Sequence, residues 1–221
     1  MPLSIGFVVY PGLSQLALTG PLQVFAGLPD TTCHIAAKTL APVASDSVLS
    51  IPPTRAFADC PDLDLICVPG GLGASEALRD SETMTFIRER GRSAKWVTSV
   101  CTGAFLIGAA GFLKNRRAAT HWAYRDLLPL VGATAGGARV MHDGNVWTCA
   151  GVTAGIDFAL AIAAEIASPG AAQSIQLAME YDPAPPFDAG SAKFAPEPVK
   201  QRLDVAYNRM RHAMRDALAS A

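Results

Sequence analysis

Thr98-Ser99-Val100-Cys101-Thr102-Gly103 decides how the chain reads. A short apolar run, Lys95-Trp96-Val97, precedes it, and an apolar helical stretch from Ala104 to Leu113 follows. A strand that turns sharply into a helix lifts the turn residue above the carboxyl edge of a sheet. This is the nucleophile-elbow arrangement, with a thiol in place of a hydroxyl. Ser99 and Gly103 are small enough for so tight a turn. The helix that follows aims unpaired N–H groups and a positive dipole end at the sulfur. Both favour thiolate, the nucleophilic form. Cys101 is therefore expected to have a lowered pKa and to alkylate ahead of Cys33, Cys60, Cys67 and Cys149. A free Cys is most often a small buried hydrophobe; the strand before this one and the Thr-Gly helix start after it point instead to a reactive thiol.

Outward from the elbow, apolar runs alternate with helical stretches. Ile5 to Tyr10 is continuously apolar and ends at Pro11-Gly12, as expected of a parallel strand buried on both faces. Leu13 to Leu28 reads as helix interrupted at Thr19-Gly20-Pro21, with Pro21 in a new first turn. Cys33–Ala37 and Val48–Ile51 read as short strands. Leu63 to Val68 is another buried strand, ending in Pro69-Gly70-Gly71. The spacing of Gly70-Gly71-Leu72-Gly73 does not match a dinucleotide fingerprint; paired N–H donors beside a pocket are the better reading. Asp80-Ser81-Glu82 opens a helix to about Gly91, with acids first and arginines last, as the macrodipole favours. A short helix from Ala123 to about Leu128 is stopped by Pro129. Arg139–His142 and Asn145–Thr148 form a hairpin across Asp143-Gly144. A long apolar helix runs to Ala167, and another spans about Ala171 to Tyr181. Residues 182–198 are Pro-rich and extended, and 199–218 is a solvated surface helix. Alternating strands and helices make the fold α/β, a mostly parallel sheet with helices on both faces. Ligands of such sheets bind beyond the carboxyl ends of the strands. Four segments end there: Pro11 to Thr19, Gly70-Gly71, Cys101-Thr102 and Ala150 to Val152.

The 221 residues suit one large α/β domain or two small ones. Half are hydrophobic, 17% are charged, and the formal net charge is -1, which gives no electrostatic reason to expect nucleic acid or an anionic membrane. No apolar run approaches the roughly 20 residues of a spanning helix. The start, Met1-Pro2-Leu3-Ser4-Ile5-Gly6, lacks a basic leader with a cleavage site, so no signal peptide is expected. Five cysteines without a C-x-x-C pair fit a reducing cytoplasm rather than a disulfide framework. The four histidines are scattered without ligand spacing, so no metal is expected.

Five motifs in order give a resemblance. Leu18-Thr19-Gly20-Pro21, Val68-Pro69-Gly70-Gly71, Ser99-Val100-Cys101-Thr102-Gly103, Ala119-Thr120-His121-Trp122 and Gly151-Val152-Thr153-Ala154-Gly155-Ile156-Asp157 resemble the DJ-1/PfpI superfamily, and within it the isocyanide hydratases. The resemblance covers almost the full length, including Tyr181 to Gly190. It implies a single flavodoxin-like domain over residues 1–221, a homodimer, and no cofactor or metal. It implies hydration of an organic isocyanide to an N-formamide: Cys101 attacks the isocyanide carbon, and water hydrolyses the resulting thioimidate. Thr102 would assist with its hydroxyl or N–H, Gly71 and Leu72 with backbone donors, and Thr19 with a polar contact. Val152 would wall the apolar side.

One position departs from the pattern. Hydratases read Leu-Asp-Leu-Thr-Gly-Pro where this chain reads Leu16-Ala17-Leu18-Thr19-Gly20-Pro21. The acid that hydrogen-bonds the thiol and moves protons is replaced by a methyl group, so proton transfer is expected to be poor. His121 is the nearest alternative base by motif. The same motifs occur in the sensor half of AraC-type regulators, so a non-catalytic redox sensor or a small-ligand binding domain are the alternatives. PfpI-type proteases carry a His after the Cys, where this chain has Thr102.

Overall fold

The computed structural model describes residues 2–220; Met1, where the signal-peptide reading begins, and Ala221 lie outside them. Strands run in chain order as β1 (Leu3–Val8), β2 (Thr31–Ala37), β3 (Val43–Ala44), β4 (Ser50–Ile51), β5 (Arg55–Ala56), β6 (Leu65–Val68), β7 (Trp96–Val100), β8 (Arg117–Ala118), β9 (Thr134–Ala135), β10 (Val140–Asp143) and β11 (Val146–Cys149). Helices are α1 (Gln15–Phe25), α2 (Ala74–Arg79), α3 (Ser81–Ser93), α4 (Gly103–Ala109), α5 (Ala154–Ile166), α6 (Pro169–Ala178) and α7 (Glu197–Ala219), with a 3-10 segment at Trp122–Val131.

Among the described residues, one seven-stranded sheet has the order β10-β11-β7-β6-β1-β2-β5. All neighbours are parallel except β10, which pairs antiparallel with β11. The mostly parallel, doubly covered α/β fold read from the sequence is the fold observed. Every residue of β6 and β7 is buried, which explains the unbroken apolar run of β6; in β7 the buried Thr98 hydroxyl donates to the Ile66 carbonyl at 2.9 Å. Helices α1, α5 and α6 cover one face; α2, α3 and α4 cover the other, with α7 packed on α2 and the 3-10 segment. Phe7, Phe25 and Phe158 are fully buried between β1, α1 and α5. The Phe25 and Phe158 rings meet edge-on at 6.0 Å, a geometry worth about 0.5–1.5 kcal/mol beyond area burial. Among the described residues, no helix is long and apolar enough to cross a membrane.

Several local readings are corrected. α1 runs through Pro21 without a break. Proline cannot donate to the Ala17 carbonyl, and an interior Pro costs about 3 kcal/mol. Burial of Leu18, Pro21, Val24 and Phe25 offsets this. Contact with α5 is close enough that a Cβ on Gly155 would lie 3.1 Å from the Pro21 ring, so two of the five motifs form one helix–helix contact. Val48–Ile51 is not a strand of the main sheet: β4 pairs only with β3 in a separate ladder, and Val48 stands 97% exposed. The edge is closed instead by β5, whose two residues are too few to make a pattern. α4 ends at Ala109 rather than Leu113, and the 3-10 segment passes through Pro129 to end at left-handed Gly132. The hairpin pairs Asp143 with Val146, so Gly144-Asn145 makes the turn, with Gly144 at φ +61° and in the first central position, which accepts positive φ.

Candidate functional site

β1, β6, β7 and β11 are adjacent, and all four carboxyl ends open on one side. They gather around a cavity of about 80 Å³ lined by Ser14, Gly71, Leu72, Cys101, Thr102 and Val152, with Asp46, His121, Tyr124 and Tyr207 completing the wall. A second hollow, about 600 Å³, lies beyond β1 and β2 beside Lys38 and Asp80. It is larger but contains no cysteine, so the chemistry belongs to the smaller one.

Cys101 sits at the turn between β7 and α4 with φ +59°. For a residue with a Cβ this left-handed conformation costs about 1–2 kcal/mol. Surrounding bonds hold it. Its N–H is shared between the carbonyls of Cys149 and Ala150, at 3.2 and 3.0 Å. Its carbonyl accepts from the Thr120 hydroxyl at 2.8 Å. Thr102 ties the elbow to the end of β6: its Oγ1 accepts from the Gly71 N–H at 2.9 Å and lies 3.2 Å from the Gly71 carbonyl. The strand ends touch so closely that a Cβ on Gly70 would come within 2.5 Å of Thr102 N and 2.8 Å of Cys101 Cβ.

The elbow geometry is as read from the sequence; the sulfur's protonation is not. Burial pushes the Cys101 thiol up to about 11, against donors from the Thr102 and Val152 backbone and the Thr102 hydroxyl that lower it. Cys101 is only 6% exposed. Desolvation of the thiolate therefore outweighs the start of a seven-residue helix. The expected lowered pKa is corrected to a neutral thiol in the free protein. Cys33, also at about 11, is less buried, so early alkylation does not mark out Cys101.

The other site residues fall as follows. Leu72 rims the cavity, and its N–H has no protein partner among the described residues. The Gly71 N–H is committed to Thr102, so the expected pair of free donors reduces to Leu72. Val152 contributes an N–H to the sulfur as well as a wall. Thr19 bonds Gln15 on its own helix at 3.2 Å and lies outside the cavity lining. Ala17 is fully buried in α1 and also lies outside the lining. His121 does reach the cavity. Its Nδ1 accepts from the Ala123 N–H at 3.4 Å, and its ring packs 5.9 Å from Tyr124 and 5.1 Å from Tyr207. Asp157 of the last motif is an anchor: it accepts from Arg139 Nε at 2.5 Å and Tyr181 OH at 2.7 Å, tying the Pro-rich tail to the body.

Burial drives His121 down to about 4. As pH falls below about 6.5 the unfolded chain takes up this proton before the folded one does, so stability is full above that value and declines toward pH 4. The thermal midpoint is expected to drop across this window. His121→Gln should flatten part of that drop while changing the midpoint little at pH 8. Calorimetry across the range checks it, and an unchanged slope would contradict the buried, neutral assignment.

Comparison with known proteins follows the same lines. Residues 3–165 match the DJ-1/PfpI family. The isonitrile hydratase of Pseudomonas putida is 52% identical over 199 residues, which is 90% of this chain and 87% of that protein. A crystal structure of a ThiJ/PfpI family protein from Pseudomonas syringae superposes with a TM-score of 0.96 at 42% identity, over 99% of this chain and 91% of that one. An HTH-type transcriptional regulator of Pseudomonas aeruginosa is 26% identical over 170 residues, 72% of this chain but 45% of the regulator.

Proposed function

The chain belongs to the DJ-1/PfpI family, and from that premise we propose that it is an isocyanide hydratase, converting R–N≡C and water to R–NH–CHO through a covalent Cys101 thioimidate. The observation that carries this reading is the elbow: a cysteine held at positive φ at the floor of a small cavity, with N–H groups of Thr102 and Val152 facing its sulfur. The 52% identity to an isonitrile hydratase over most of both chains supports it.

The protonated thiol suits this reaction. Sulfur and hydrogen both add to the terminal carbon of the isocyanide, giving R–N=CH–S–Cys101, so the thiol proton is consumed there and not discarded. Water then adds to that carbon. Nitrogen takes a proton, the C–S bond breaks, and the formamide leaves as Cys101 regains its proton. Leu72, whose N–H at the cavity rim has no protein partner among the described residues, holds the oxygen of the tetrahedral adduct in this reading. The narrow cavity admits the rod-like N≡C group, with the R group toward the mouth. Assembly as a homodimer and a cytoplasmic setting belong to the same proposal, the first on the resemblance, the second on five unpaired cysteines.

A redox-sensing role fits less well, because oxidation favours exposed, low-pKa thiols and Cys101 is neither. Incubation with phenyl isocyanide, followed by chromatography for N-phenylformamide, tests the proposal. Turnover is the expected result. Absence of product from several aryl and alkyl isocyanides would favour a binding role.

A further inference from the structure

The hydration just proposed moves a proton off sulfur, onto carbon and then between oxygen and nitrogen, so it needs a carrier inside the cavity. Ala17 offers only a methyl group. Tyr124 is pushed up to about 12 and does not give up its proton near neutrality. His121 is a weak base whose Nδ1 already accepts from Ala123. Among the described lining residues one carboxylate remains, Asp46.

Backbone pairing brings it there from a polar stretch 55 residues before the elbow. Leu13 bridges Gly71 on one side and Ser45 on the other. Gly12 N–H donates to the Ala44 carbonyl at 2.8 Å, and Asp46 N–H donates to the Leu13 carbonyl at 2.8 Å. The loop between β1 and α1 is thereby stitched between the glycine turn and the segment carrying Asp46, so Asp46 and Cys101 line the same 80 Å³ space. The Ser14 hydroxyl and the backbone N–H groups of Gln15 and of Asp46 itself face the carboxylate and favour its charged form. None of the ion pairs among the described residues involves it. Although Asp46 is exposed at the cavity mouth, partial burial raises its carboxyl above the ordinary aspartate value despite those donors, which makes it a better base than a free aspartate.

We propose that Asp46 is the proton carrier of this site, serving Cys101 directly or through one water. The inference rests on the hydratase reading. Asp46 takes the thiol proton as sulfur bonds the isocyanide carbon, then delivers it to that carbon, leaving R–N=CH–S–Cys101. It next takes a proton from the attacking water as the C–O bond forms and passes it to nitrogen. Finally it moves the hydroxyl proton to sulfur as the C–S bond breaks and C=O forms. Asp46 ends as carboxylate, Cys101 as thiol, and the sum is R–N≡C + H₂O → R–NH–CHO.

The test compares Asp46→Asn and Asp46→Glu with the parent protein on phenyl isocyanide. Asparagine keeps an acceptor for Ser14 and Gln15, so the thermal midpoint should move little. kcat is expected to fall by about 10²–10⁴-fold, with KM changed less than about threefold and the acidic limb of the kcat/KM profile removed. Asp46→Glu should recover to within about tenfold of the parent. An unchanged kcat in Asp46→Asn overturns the proposal. So does a loss of activity that merely follows a loss of thermal stability in both variants, which would make Asp46 an anchor for α1.

A second readout stands apart from turnover. Removing the negative charge beside the sulfur should lower the pH midpoint for iodoacetamide modification of Cys101 and leave Cys33 unmoved. The titratable groups facing Cys101 are Tyr10, Tyr124, Tyr207, Cys149 and His121, and both variants retain them. If the parent makes no formamide, the hydratase reading fails and this midpoint decides. A downward shift sustains Asp46 as the proton partner of Cys101, and no shift ends the proposal.

Discussion

Cys101→Ala is expected to abolish formamide production, lowering kcat/KM by about 10⁴-fold or more, the scale seen when a covalent nucleophile is removed. No other group can take the role. Cys149 lies buried at the end of β11 with its thiol against the Ser99 carbonyl. Thr102 is bound into the end of β6. The fold should survive, because alanine keeps the Cβ and the cavity wall. Cys101→Gly should be equally inactive yet more stable than Cys101→Ala, by about 0.5–1 kcal/mol. Glycine relieves the left-handed strain of about 1–2 kcal/mol, less what it costs in unfolded-chain entropy, about 0.5–1 kcal/mol. Urea titration of the two variants measures that difference. A Cys101→Gly variant less stable than Cys101→Ala by the full entropy cost of about 0.5–1 kcal/mol would mean the elbow is unstrained, and residual turnover above about one per cent would mean the nucleophile is elsewhere.

Gly70→Ala should cost more stability than any change to the cavity wall. Its new methyl would lie 2.5 Å from Thr102 N, 2.7 Å from Thr102 Oγ1 and 2.8 Å from Cys101 Cβ. These atoms are backbone, or fixed to it, at the meeting of two buried strands, so none can swing aside. Overpacking of this kind costs about 3 kcal/mol. Whatever movement relieves it must separate the ends of β6 and β7, which carry Leu72 and Cys101. A shift of about 1 Å in a positioned group removes about 10² in rate, so kcat should fall by at least that factor even where the variant is fully folded. Gly137→Ala is the control, since nothing lies within 4 Å of its added methyl, and it should change neither stability nor rate. Full activity in Gly70→Ala would contradict the account of a rigid elbow.

The legible part of this molecule was its local part. β6 and the run from Ile5 to Tyr10 that contains most of β1 are buried on both faces and read as apolar runs ending at Pro-Gly, while β7 shows only Trp96-Val97 before the elbow, its Thr98 and Ser99 being buried polar residues. The alternation of such runs with helices gave the parallel sheet, and the sheet rule placed four strand ends around one cavity. What escaped depended on distant pairing or on burial. Asp46 sits among Ser45 and Ser47 in a stretch with no periodicity, and only the Leu13 bridge brings it to Cys101. Tyr207 lies on a helix read as wholly solvated. Its signal was present, because Tyr207, Met210, Met214 and Ala217 fall on one helical stripe, and Met214 and Ala217 are buried. The pKa of Cys101 was misjudged because the sequence displays the helix start but not the depth of the sulfur. The interruption expected at Pro21 gave way to packing against α5.

The central claim is that Cys101 carries the substrate as a thioimidate. It is tested most directly by mixing the protein with phenyl isocyanide, quenching in acid before the first turnover is complete, and mapping peptides by mass. The account predicts a mass increase of one phenyl isocyanide on the peptide containing Cys101, appearing before the formamide and absent from Cys101→Ala. Formamide released by Cys101→Ala at the parental rate, with no adduct on Cys101 in the parent, would contradict it.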